Sequence, residues 1–107
     1  MYLYLLYDTV CKSIISIYND EKIVKTMIND LVRKDIDDEI LLLRHKILDE
    51  VSTEKRQLLS MTIENLEVQK NISDMKNCYV KNGEVVQRYI FYSKIMNSSK
   101  HPIFFYP

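Results

Sequence analysis

Residues 78–92 read CYVKNGEVVQRYIFY, and the dipeptide Asn82–Gly83 near their centre decides the fold. Asn-Gly between apolar runs is the strongest short-range signal for a two-residue hairpin, because both turn positions need a positive φ that these residues tolerate. Read that way, Val80 pairs with Val85 and Tyr79 with Val86. Against this, the apolar residues after the glycine come as doublets: Val85 and Val86, Tyr89 and Ile90, Ile95 and Met96, with Tyr92 between them. That is a helical rhythm, in which Gly83 closes the preceding helix in the left-handed conformation. The helical reading is preferred, and a C-terminal β-hairpin turning at Asn82 and Gly83, giving an α+β protein, is the alternative.

Toward the N-terminus the helical pattern continues. Leu59, Ile63 and Leu66 form a stripe that changes phase to Val68, Ile72, Met75 and Tyr79, predicting a helix of about 25 residues that switches neighbours or bends. Ser52 or Thr53 is positioned to cap it. Ile36, Ile40, Leu43, Ile47 and Val51 form the buried stripe of an earlier segment, with Leu41 and Leu48, one heptad apart, flanking and widening it. The acids Asp35, Asp37, Asp38 and Glu39 crowd its start, where negative charge complements the helix dipole. Before that, Asp20 caps an amphipathic segment in which Ile23, Val24, Met27, Ile28, Leu31 and Val32 oppose Lys22, Lys25, Asn29 and Arg33.

At the N-terminus, Leu3, Tyr7, Val10, Ile14 and Ile17 recur at alternating steps of four and three, predicting a helix over 2–18. Aromatic and β-branched residues also suit a strand over 1–7, but strict alternation is missing. After residue 97 a polar break and Pro102 leave an extended tail. The expected fold is therefore all-α, a small bundle of four or five helices over 1–97, followed by an extended aromatic C-terminal tail over 98–107.

Composition narrows function more than it names it. The chain has 107 residues, enough for one domain that buries roughly two-thirds of its unfolded surface. Fifteen Lys and Arg balance fifteen Asp and Glu, so no net field attracts nucleic acid or an anionic membrane from a distance. Abundant Ile, Lys, Asn and Tyr without alanine read as the imprint of an AT-rich genome. No apolar run approaches the 18 or so residues of a membrane span, and the N-terminus lacks signal-peptide features. Cys11 and Cys78 have no CxxC spacing and are expected as reduced, mostly buried thiols. An intracellular, soluble protein, cytoplasmic or nuclear, is the expectation.

No catalytic motif emerges. His45 stands four residues before Asp49, a pairing that a solvated helix face explains, and His101 lies in the polar break. Asp35–Glu39 fails the calcium-loop pattern, and one glycine cannot build a phosphate-cradling loop. No catalytic residue, metal or cofactor is assigned.

Aromatic residues instead concentrate at the two ends, and tyrosine suits interface anchors. The leading expectation is a helical protein–protein interaction module, a subunit, adaptor or inhibitor, that binds another protein or itself through Leu41, Leu48, Tyr92, Phe104, Phe105 and Tyr106. The alternative is a compact helical nucleic-acid-binding regulator that uses Lys22, Lys25 and Arg33.

Overall fold

A computed structural model of the chain describes residues 2–72, 77–95 and 103–105. Two strands, β1 (Tyr2–Asp8) and β2 (Ser13–Tyr18), precede two helices, α1 (Glu21–Asp49) and α2 (Thr53–Lys70). Four strands follow: β3 (Tyr79–Lys81), β4 (Glu84–Val86), β5 (Tyr89–Ile95) and β6 (Ile103–Phe105). β1 and β5 are the central strands of an antiparallel sheet of order β2-β1-β5-β6, while β3 and β4 form a separate two-stranded hairpin.

The architecture is α+β, which overturns the all-α bundle. Residues 2–18 fold as a strand hairpin because every second residue on both faces is apolar. Tyr4, Leu6 and Asp8 face α1, and Leu3, Leu5 and Tyr7 face away, so an apolar residue falls at nearly every position. Ile17 opposes Leu5 and Ile14 opposes Tyr7, which extends the second apolar face onto β2. A bulge at Ile15 keeps both isoleucines on that face despite their odd spacing. In the loop, Lys12 takes a left-handed conformation, and Asp8 Oδ1 accepts hydrogen bonds from the Val10 and Cys11 amides.

The helix expected after Gly83 is also strand. Asn82 and Gly83 both have positive φ, 53° and 79°, as a mirror-image two-residue turn requires. Tyr79 opposes Val86 and Val80 opposes Val85, the pairing the hairpin reading requires. The doublets Val85–Val86 and Tyr89–Ile90 fall on successive strands, so each doublet presents one side chain to each face.

The two segments expected over 20–51 are one helix of 29 residues, about 43 Å long. Asp20 caps it, its carboxylate accepting from the Lys22 amide at 2.9 Å. No Gly or Pro interrupts it, and the acids read as a helix start lie in its middle. Three of them are held there by cations from α2, β3 and the β4–β5 connection: Asp35 by Arg88, Asp37 by Lys70 and Glu39 by Lys81. Ser52 caps α2, which runs back along the C-terminal half of α1.

The core joins the two layers. Val24, Ile28 and Val32 from the first half of α1 cover Leu6, Tyr89 and Phe91 of the sheet, and Ile36, Ile40 and Leu43 meet Ile63 and Leu66 of α2. Because α2 covers only one half of α1 and the sheet the other, the molecule is long, 63 × 26 × 19 Å. Its radius of gyration is 17.7 Å, against about 13 Å for a compact domain of this length.

Candidate docking surface

A charged cluster joins β1, the start of β5 and α1. Arg88, between β4 and β5, reaches Asp8 through Nε at 3.1 Å and Nη2 at 3.0 Å, and Asp35 through Nη1 at 3.3 Å. Tyr89 adds a hydroxyl donor to Asp35 and lies under the guanidinium, 5.1 Å from its ring centre. The Arg88 hydrogen bond, aided by the Val10 and Cys11 amides, holds the Asp8 carboxyl well below the usual carboxylate range despite burial. Burial pushes Asp35 the other way, against the pull of Arg88, and pushes Tyr89 up to about 12. Both oxygens of Asp8 are occupied, so the cluster ties β1, β5 and α1 together and leaves no free base aimed into a cleft.

Among the described residues, no three His, Cys, Asp or Glu side chains converge as a metal site. Cys11 is exposed in the β1–β2 loop and Cys78 is half-buried, which corrects the expectation of two mostly buried thiols. Among the described residues, no helix is long and apolar enough to cross a membrane.

The partner-binding residues expected from sequence are dispersed. Tyr92 lies on β5 and packs edge-on against Tyr7, on the sheet face away from α1. Phe104 and Phe105 belong to β6, whose backbone pairs with β5, and Tyr106 lies outside the described residues, as does His101. Leu41 and Leu48 are 57% and 80% exposed on α1. Leu41 borders a groove bridged by two ion pairs between the helices, Asp37–Lys70 and Arg44–Glu67. His45 is exposed on the same helix.

Lys22, Lys25 and Arg33 all lie on α1. Lys22 is exposed, Lys25 pairs with Glu21 at 3.1 Å, and Arg33 donates from Nη2 to the Ile72 carbonyl at 3.5 Å.

A second apolar stripe on α2 escaped the sequence reading. Leu59, Ile63 and Leu66 face the core, while Met61 and Val68, flanked by Leu58 at the rim of the cleft toward α1 and continued by Ile72 just past the helix, lie on the other side. Leu58, Met61, Val68 and Ile72 are 63%, 64%, 65% and 49% exposed. Their spacing of three, then seven, then four places them on one line with Asn65 between Met61 and Val68. The repeat is legible in the sequence, but Val68 and Ile72 imitate a change of phase along one face. They belong instead to a separate face shared with Leu58 and Met61.

Gln69 fastens the hairpin beside this stripe to α2. Gln69 Nε2 donates to the Val80 carbonyl and Gln69 Oε1 accepts from the Val80 amide, each at 2.7 Å. The amide therefore mimics a neighbouring strand along the edge of β3. Thr62 and Asn82 close a further bond at 3.3 Å.

Comparison with family models, curated proteins and solved structures found no match for this chain.

Proposed function

We propose that this protein is an interaction module, a subunit, adaptor or inhibitor that binds another protein through the outer stripe of α2. The observation that carries the reading is that one helix bears two apolar stripes on opposite sides, and only one of them meets the core. A surface helix in a monomer ordinarily carries one such stripe. Organised apolar residues on an otherwise charged helix favour docking over solvation.

The reading places the protein in an intracellular, reducing compartment, cytoplasmic or nuclear, and assigns it no catalysis, cofactor or metal. It moves the docking face from Leu41 and Leu48 to Leu58, Met61 and Val68, because Leu41 borders the inter-helix ion pairs while the latter share one side of α2.

The test is capture of partners by the tagged full chain and by a Leu58→Lys, Val68→Lys double variant, with nuclease treatment of both samples. A stoichiometric protein recovered by the parent, retained after nuclease and lost from the variant, supports the reading. Equal recovery by both chains places the contact elsewhere and overturns it. Recovery abolished by nuclease turns the assignment to nucleic acid.

A further inference from the structure

We infer that the open edge of β2 pairs antiparallel with the same edge of a second copy of this chain, joining two sheets across a two-fold axis between Ile15 and Ser16. The edge is a different surface from the α2 stripe, and it goes beyond the interaction reading above.

β2 is the end strand of its sheet and, among the described residues, pairs with β1 alone. Alternate backbone amides and carbonyls along its outer side therefore point away from the sheet, a row that one further strand satisfies. The strand reads SIISIY and holds neither a charge nor a proline, the residues that ordinarily keep sheet edges apart. Ile14, Ile15 and Ile17 are 53%, 47% and 58% exposed, so the run stands open to solvent.

The bulge at Ile15 selects the occupant. Directly opposed residues share a face, so Ile14 and Ile17, which oppose Tyr7 and Leu5, lie on the side away from α1 although they are three apart. A regular strand puts only residues an even number apart on one face, so a regular strand that matches Ile14 has the wrong face at Ile17. A second copy running antiparallel carries the same extra residue at the same place. Its Ile17 then opposes Ile14 and its Tyr18 opposes Ser13, with the isoleucines together on the outer face and Ser13 and Tyr18 together on the face toward α1.

Charge at the two ends fits the same register. Continuing the pairing beyond the strands brings Lys12 of one copy level with Asn19 of the other, beside Asp20. Both Lys12 and Asp20 are exposed, and the two-fold axis repeats this meeting of opposite charges at the other end. Parallel pairing would instead set Lys12 beside Lys12 and Asp20 beside Asp20.

Sedimentation equilibrium of the reduced full chain tests this. The expected result is a monomer–dimer equilibrium whose dissociation constant rises at least about tenfold in Ile14→Lys, Ile17→Lys, which opposes lysine to lysine twice, with circular dichroism unchanged. The Leu58→Lys, Val68→Lys variant should dimerise as the parent does. In a Cys11→Ser, Cys78→Ser background, Ile14→Cys and Ile17→Cys chains should form an intermolecular disulfide when mixed. Neither should do so alone, since like positions lie about 10 Å apart along the seam. A parent chain that stays monomeric up to about 200 μM overturns self-association and leaves the interaction reading to its capture test. A dimer that persists in Ile14→Lys, Ile17→Lys, or is lost in Leu58→Lys, Val68→Lys, overturns the β2 edge as its seam. Either cysteine variant cross-linking alone as readily as the mixture overturns the register.

Discussion

Arg88 and Asp8 are 80 residues apart in sequence and joined by Nε and Nη2 hydrogen bonds of 3.1 and 3.0 Å. The contact closes the chain on itself: it fixes the end of β1 to the start of β5 and, through Asp35, both to α1. Removing Asp8 takes two charge-assisted hydrogen bonds from Arg88, leaving it Asp35 alone, and also removes the acceptor of the Val10 and Cys11 amides. Asp8→Ala should therefore lower the unfolding free energy by about 3 kcal/mol, measured by urea denaturation at neutral pH.

The same cluster gives opposite pH dependences to two carboxylates. Asp8 is depressed in the folded state, mainly by the Arg88 hydrogen bond, so its contribution is present above its unfolded pKa near 4 and is lost as pH falls through the folded value. Asp35 is raised by burial, so its contribution is full below about 4 and is lost as pH rises through its folded value. Unfolding measured from pH 2 to 7 should show a flatter acid limb in Asp8→Asn. In Asp35→Asn, stability at pH 7 should rise relative to that at pH 4.

Gly83 adopts a φ of 79° with nothing within 4 Å of the position a Cβ would occupy. Gly83→Ala therefore meets no steric neighbour, and its cost is the backbone conformation alone, about 1 kcal/mol. The urea midpoint should fall accordingly. An unchanged midpoint would show that the turn does not hold this geometry in solution.

Gln69 holds β3 through two bonds to one residue, Val80. Gln69→Ala should release the hairpin locally, speeding hydrogen exchange at the Val80 amide by about tenfold or more while leaving the Leu6 amide protected. Equal acceleration at both amides would mean that the hairpin unfolds only with the whole domain.

Core and outer leucines should separate cleanly. Leu66 is fully buried between the layers, and Leu66→Ala should cost about 3 kcal/mol. Leu48 is exposed, and Leu48→Ser should stay within about 0.5 kcal/mol. A large loss in Leu48→Ser would reveal a contact made in solution by that face of α1.

Local chemistry alone determined several features. Asp20 and Ser52 announce the two helix starts because a side-chain oxygen beside free backbone amides needs no distant partner. The stripes Ile36–Ile40–Leu43–Ile47 and Leu59–Ile63–Leu66 are legible because each helix buries that side against one neighbouring layer. Asn82–Gly83 carries its turn because few other residues take two successive positive φ values. The tertiary structure decided the rest. β1 is apolar on both faces, so alternation, the signal by which a strand is read, vanishes, and the remaining spacing of Leu3, Tyr7 and Val10 imitates a helix. The acids of Asp35–Glu39 look like a helix start until Arg88, Lys70 and Lys81 arrive from the β4–β5 connection, α2 and β3 to hold three of them in the middle of one. The outer stripe of α2 could be assigned only once the core had claimed the opposite side, because periodicity tells which residues share a face and packing decides which face is covered.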